Sequence, residues 1–205
     1  SLGGAIQFAR HVSFKSKLDK FMRVLIQRVE RRNITLMLHT KMTPQLAREL
    51  NPDAIVCAIG ADPIVPPIPG TDLGGGLVGC EEGILLAGLG KQVTILEMKP
   101  ELCRDAPYLH HEAVLLELER LGARTYTNTR CTQILPDGVM VERDGQMQKL
   151  EADTVIIAAG LAPRMEEAEA FRSCAPEFWK IGDCKKARNV RLAIHEGYDA
   201  GSYLV

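Results

Sequence analysis

The chain has 205 residues, 46% of them hydrophobic and 25% charged, with a formal net charge of −1. That composition is ordinary for a folded protein and leaves room for one large or two small domains. The near-zero charge gives no electrostatic case for nucleic acid or an anionic membrane surface, and no apolar run reaches the ~20 residues of a membrane-spanning helix.

In chain order, residues 15–31 carry Leu18, Phe21, Met22, Leu25 and Val29 at helical spacing. Residues 34–38 alternate as a short strand, and 44–49 add one helical turn. The apolar run 54–59, closed by Gly60, has the pattern of a buried parallel strand. A proline-rich crossover follows over 63–70.

Next comes Gly74-x-Gly76-x-x-Gly79, then an apolar helical run over 77–89, a β-type run over 92–96, and Glu97. Physically this reads as a dinucleotide site. Gly74 permits the tight turn, Gly76 lets a pyrophosphate approach the backbone, and Gly79 lets the helix pack close to the sheet. Glu97 stands ~20 residues on, where an acid accepts from the adenosine ribose hydroxyls. The bland alternative is a glycine turn before an ordinary helix, with Glu97 ending a strand in solvent. The strand expected before Gly74 is missing, because 64–72 reads IVPPIPGTD and proline cannot serve a central ladder.

Residues 107–121 form a second helical pattern with Val114, Leu115, Leu118 and Leu121 inward, ended by Gly122. A strand over 123–127 leads to a meander over 130–135, 139–143 and 148–150, with turns at Pro136-Asp-Gly138 and Asp144-Gly145. The run 154–159, closed by Gly160, repeats the pattern of 54–60 down to a proline three residues later. Two such units suggest two nucleotide-binding halves; the alternative is two unrelated buried strands. The tail holds a strand over 178–181, then Gly182-Asp183, then a helix over 189–204 with Ile194, Tyr198 and Tyr203 packed. Asp183 can offer its carboxylate to a sugar or ribityl hydroxyl, although a turn or cap role is favoured locally.

Cys57, Cys80, Cys103, Cys131, Cys174 and Cys184 include no C-x-x-C pair, so neither a zinc ribbon nor a dithiol centre is indicated. Several stand in apolar runs, as buried reduced thiols do. With no signal-peptide pattern at Ser1, a cytoplasmic location is expected. His110 and His111 read as a solvated helix end, and no metal site is expected.

Seven motifs in order resemble the disulfide-reductase-like half of the NADH:flavin oxidoreductases, whose members include 2,4-dienoyl-CoA reductase, clostridial-type enoate reductases and trimethylamine dehydrogenase. They are Leu2-Gly-Gly4, Ala58-x-Gly60-x-x-Pro63, Ile68-Pro-Gly70, the glycine loop through Glu81, Val93-Thr-Ile-Leu-Glu-Met98, Ala159-Gly160-x-x-Pro163, and Ile181-Gly-Asp-Cys184 with Ala193-Ile-x-x-Gly197-Tyr198. The resemblance implies an α/β, Rossmann-like three-layer fold in which an NAD(P) domain (73–163) is inserted into a partial FAD domain (1–72 and 164–205). Residues 92–96 and 154–159 would then share one parallel sheet, and 54–59 and 178–181 another.

By that resemblance Gly74, Gly75, Gly76, Gly79, Glu97 and Gly160 contact NAD, with NADH preferred over NADPH. Gly3, Gly4, Thr43, Gly60, Gly182, Asp183 and Ile194 line FAD. FMN, an iron–sulfur cluster and the enoate or dienoyl-CoA type substrate belong to a barrel outside this chain, the expected partner within the same protein. The first FAD βαβ unit is absent, as are roughly twenty residues between Gly70 and Gly74. No catalytic acid or base is assigned. The expected function is hydride transfer from NADH to flavin and onward; the alternative is a non-catalytic nucleotide-binding or interaction module.

Overall fold

The computed structural model describes residues 2–11, 15–69, 79–104, 106 and 108–204. In chain order its longer elements begin with α1 (Ser16–Glu30), α2 (Pro44–Leu50), β1 (Ala54–Cys57), β2 (Ala61–Pro63), α3 (Gly79–Gly88), β3 (Thr94–Leu96) and α4 (Tyr108–Arg120). There follow β4 (Arg124–Tyr126), β5 (Thr129–Leu135), β6 (Gly138–Arg143), β7 (Gln146–Glu151), β8 (Leu161–Pro163), α5 (Met165–Glu169), β9 (Glu177–Lys180) and α6 (Val190–Tyr203). The chain divides into two compact units, an outer one of Ser1–Ala61 with Pro163–Val205 and an inserted one of Asp62–Ala162.

In the outer unit β1 and β9 pair in parallel, from Ala54 opposite Glu177 to Cys57 opposite Lys180. The Ile181 N–H donates to the Cys57 carbonyl at 3.0 Å and carries the ladder one step further. Helix α2 begins at Pro44, where a missing N–H costs nothing, and the Thr43 hydroxyl accepts from the Leu46 N–H at 3.2 Å. These elements enclose Ala47, Cys57, Ala168, Phe171, Cys174 and Cys184, with Ile55, Ile59 and Phe178 packed against them.

In the inserted unit β3 and β4 pair in parallel, Thr94 opposite Arg124 through Leu96 opposite Tyr126. Helices α3 and α4 bury Ile84, Leu102, Val114 and Leu118, with Ile95, Leu115, Leu121 and Ala123 around them. Strands β5, β6 and β7 form an antiparallel meander. Its β6–β7 turn is Asp144-Gly145, both at positive φ (51° and 73°), as a tight two-residue hairpin requires.

Three expectations are corrected. The run 154–159 forms no strand and finds no ladder partner among the described residues, and Ile156 is 52% exposed. A parallel strand needs a neighbour. The described residues that precede α3 include Pro63, Pro66, Pro67 and Pro69, and among the described residues 92–96 and 154–159 do not share a sheet. Residues 34–38 likewise form no strand, and Ile34, Leu36, Met37 and Leu38 are all exposed. Alternation invites a strand only where a partner edge lies alongside. Tyr198 and Tyr203, expected to pack, are 75% and 73% exposed, although Tyr203 stacks on Trp179 at 5.7 Å between ring centroids. The junction between Asp72 and Leu73, where a missing segment was expected, lies outside the described residues.

The meander makes a sharp test of packing against backbone strain. A Cβ on Gly138 would stand 2.1 Å from the Leu150 carbonyl oxygen, whereas one on Gly145 would meet nothing within 4 Å. Gly138→Ala should destabilise by on the order of 3 kcal/mol, because backbone must move. Gly145→Ala should cost only the left-handed backbone penalty of about 1 kcal/mol. Equilibrium denaturation of the two variants measures the difference.

Candidate dinucleotide and flavin sites

Among the residues selected for a dinucleotide, Gly74, Gly75 and Gly76 lie outside the described residues. Gly79 opens α3. A Cβ there would stand 3.0 Å from the Ala158 Cβ, so the helix start comes against the 154–159 segment closer than a side chain comfortably allows. Gly83, one turn on, does the same over β3, where a Cβ would meet Ile95 Cδ1 at 2.9 Å. The close-packing role given to Gly79 is thus shared with Gly83, which stands outside the loop motif and drew no attention in the sequence.

Glu97 follows β3 directly. Its N–H donates to the Tyr126 carbonyl at 2.8 Å, and its carbonyl accepts from the Thr129 N–H at 3.0 Å. The half-buried carboxylate turns back on the chain, Oε1 accepting from the Lys99 N–H at 2.9 Å. It is therefore held at the carboxyl end of a parallel strand, the end where open α/β sheets bind ligands. Gly160 has φ +102°, and its carbonyl accepts from the Ile64 N–H at 3.0 Å. In the first turn of α3, Glu81 and Glu82 face the positive end of the helix dipole, and Glu81 lies 3.5 Å from His110 Nε2.

In the outer unit Gly60 follows β1 at φ +80°, and a Cβ there would meet nothing within 4 Å. Gly182 follows β9 at φ +64°, with the Ala193 Cβ of α6 3.7 Å from where its own would stand. Two paired parallel strands thus end at the same edge in left-handed glycines, with the first turns of α6 beside them. Asp183 Oδ1 accepts from the Arg188 N–H at 3.2 Å, which is the turn-forming role. Ile194 is 39% exposed on α6.

Gly3, Gly4 and Thr43 have local work. Gly3, at φ +109°, packs where a Cβ would lie 2.8 Å from Met22 Sδ, Gly4 adopts φ +50°, and Thr43 caps α2.

Glu196 escaped the sequence reading. On α6, its Oε2 accepts from the Gly182 N–H at 2.6 Å, and its Oε1 takes the Arg188 guanidinium and lies 3.3 Å from Lys185 Nζ. Burial alone would raise this carboxyl, but those bonds overcome it and hold Glu196 below the usual carboxylate range. No motif marks it; only the fold brings it to Gly182. Among the described residues no group of His, Cys, Asp and Glu is placed to hold a metal, and no helix is long and apolar enough to cross a membrane.

The depressed Glu196 carboxyl fixes a pH dependence. A group with lowered folded-state pKa contributes stability above its ordinary value of 4.5, and that contribution is lost as pH falls through the folded value. Glu196→Gln should therefore be less stable than wild type at pH 7, with the gap narrowing below pH 4.5. Denaturant titrations from pH 7 to pH 3 give the curve.

Residues 72–197 match the pyridine nucleotide-disulphide oxidoreductase family. A bilirubin reductase of Mediterraneibacter gnavus (strain CC55_001C) is 26% identical over 228 residues, taking in 100% of this chain and 36% of that protein. An NADH oxidase of Thermoanaerobacter brockii is 27% identical over 226 residues, with 96% and 35% covered. The solved structure of a 2-naphthoyl-CoA reductase with 2-naphthoyl-CoA superposes with a TM-score of 0.86 at 26% identity, covering 97% of this chain and 34% of that one. The chain spans about a third of the length of these relatives. With more than half its length matched, and with a Rossmann-like α/β architecture, the chain belongs to the pyridine nucleotide-disulphide oxidoreductase family.

Proposed function

We propose that this chain is the FAD- and NAD(P)-binding portion of an NADH-dependent flavin oxidoreductase. The inserted unit is the NAD domain and the outer unit a partial FAD domain. The observation that carries this reading is the pair of strand ends: β1 and β9 close in left-handed glycines at one edge of the outer unit, and β3 closes in an anchored carboxylate in the inserted one. At Gly60 the space where a Cβ would stand is open, which fits close passage of a cofactor along the backbone.

Bound together, the two cofactors supply hydride transfer from reduced nicotinamide to flavin; the protein binds and orients them. In the inserted unit the start of α3 at Gly79 presents the positive end of the helix dipole to phosphate, Glu97 accepts from ribose hydroxyls, and Gly160 borders the same nucleotide. In the outer unit Gly60, Gly182, Asp183 and Ile194 face the flavin nucleotide, with Gly3, Gly4 and Thr43 at its margin. The electrons leave to an acceptor site in the rest of the protein, a barrel carrying FMN and an iron–sulfur cluster and taking an enoate or dienoyl-CoA type substrate, in the cytoplasm. The relatives' lengths support a larger protein, and their printed activities, a CoA-thioester reductase and an NADH oxidase among them, support this class.

One observation favours a second reading, a nucleotide-binding module without catalysis: among the described residues 154–159 has no ladder partner, and none of them forms the central strand of a complete dinucleotide fold. An absorption spectrum followed by NADH addition separates the two. A flavin spectrum that bleaches supports the enzyme, and a colourless protein that still binds NADH supports the module.

Cofactor choice rests on Glu97. A 2′-phosphate beside its carboxylate would set like charges together at a cost of several kcal/mol. Lys99 is a single flexible ammonium, a weaker phosphate partner than an arginine fork. NADH should bind at least tenfold more tightly than NADPH, about 1.4 kcal/mol, and Glu97→Ala should relax the preference. Titrating both nucleotides against both proteins decides it, and equal wild-type affinities would remove Glu97 from the site.

A further inference from the structure

Three donors converge on one carboxylate where the chain leaves β9 and α6 packs beside it. The Gly182 N–H donates to Glu196 Oε2 at 2.6 Å, the Arg188 guanidinium donates to Oε1, and Lys185 Nζ stands 3.3 Å from that second oxygen. The Glu196 side chain is only 16% exposed, so protein donors rather than water set its orientation. Glu196 is in the second turn of α6, and all three donors belong to the turn between β9 and α6.

That turn carries a single other carboxylate, Asp183. Asp183 Oδ1 accepts from the Arg188 N–H at 3.2 Å, and the Gly182 carbonyl accepts from the Lys185 and Lys186 N–H groups at 3.0 and 3.1 Å. Glu196 thus grips the turn at Gly182 and at Arg188, one on each side of Asp183. Gly182 has φ +64° and no Cβ, a backbone that turns over at little cost unless something holds it. The bond to Glu196 holds it, and so sets the direction in which Asp183 leaves the strand. The same carboxylate neutralises Arg188 and Lys185. Left without it, those cations would compete for Asp183.

We propose that Glu196 is a positioning residue for the flavin nucleotide: by fixing the Gly182 peptide and holding Arg188 and Lys185, it aims the Asp183 carboxylate at a ribityl hydroxyl. Glu196 itself touches no cofactor and acts through Asp183. With Oδ1 engaged by the turn, Oδ2 is the oxygen that accepts from the hydroxyl. Because the Gly182 N–H and both cations are already taken by Glu196, this corner offers the cofactor an acceptor and suits a hydroxyl rather than a phosphate. The inference rests on the flavin site proposed above and names a residue on which that site's geometry depends.

A double-mutant cycle read by FAD fluorescence titration of the whole chain tests it. Glu196→Gln keeps the shape and an acceptor for the Gly182 N–H but cannot neutralise Arg188 and Lys185. It should weaken FAD binding by about tenfold or more. In an Asp183→Asn background the same change should alter FAD affinity by less than about twofold, because the group it acts through is gone. A merely structural role would instead give penalties that add. Additive penalties, or a Glu196→Gln protein that binds FAD as tightly as wild type, would overturn the proposal and leave the flavin site standing. A wild type that takes up no FAD would overturn the flavin site and the proposal with it. Hydrogen exchange supplies a measurement that needs no variant. The Gly182 amide of the flavin-free wild type should exchange at least about a hundredfold more slowly than in an open chain. Exchange at the open-chain rate would refute the Glu196 clasp even if a variant misfolds.

Discussion

The β1–β9 pair governs the rest of the architecture. Parallel strands cannot be joined by a hairpin, so a crossover must lie between them, and here it includes the whole inserted unit. Closing a flexible loop of ~120 residues costs about 4 kcal/mol plus a constant. That cost falls if the intervening chain folds on its own account. The inserted unit can do so because its hydrophobic cluster, Ile84, Leu102, Val114 and Leu118, is drawn entirely from its own residues. Strands β2 and β8, at the two chain crossings, pair with each other and bring the ends of the insertion together.

The legible parts of the fold were those set by local chemistry. The α2 start at Thr43-Pro44, the Asp144-Gly145 hairpin and the end of α4 before Gly122 follow from caps, turns and breakers that act within a few residues. The misread parts depended on partners distant in sequence. An apolar run such as 154–159 looks like a buried strand, but burial on both faces is a property of the sheet around it. Among the described residues no strand lies alongside this run, and Ile156 is exposed. The same reasoning applies to the candidate sites. Glu97 was visible because its place after a strand is a local feature. Glu196 and Gly83 were not, because each takes its meaning from a neighbour supplied by another element.

The glycines divide by what fills the space of the missing Cβ. At Gly3 that space is taken by Met22, and at Gly138 by the Leu150 carbonyl, so these glycines serve internal packing. At Gly60 it is open, with the backbone held at φ +80°. A residue with a side chain would be strained there for no internal gain, and the simplest physical use of the vacant space is close approach by a ligand. Gly182 is intermediate, with Ala193 3.7 Å away and Glu196 engaging its N–H.

In the inserted unit, geometry links the start of α3 to the unpaired segment. Gly79 approaches Ala158 at a distance that leaves no slack, and the segment ends at Gly160, whose carbonyl is bonded to Ile64. Among the described residues the segment gains no ladder hydrogen bonds; α3 packs against it at Ala158, and past Gly160 it runs into β8, which pairs with β2. A segment without ladder bonds of its own depends more than a paired strand on what lies against it. A dinucleotide seated on the first turn of α3 and bordering Gly160 would touch both fixed points at once. Its binding energy would then partly order the segment that a central strand would otherwise hold, so affinity at the proposed site and local order of 154–159 would be coupled through the same two glycines.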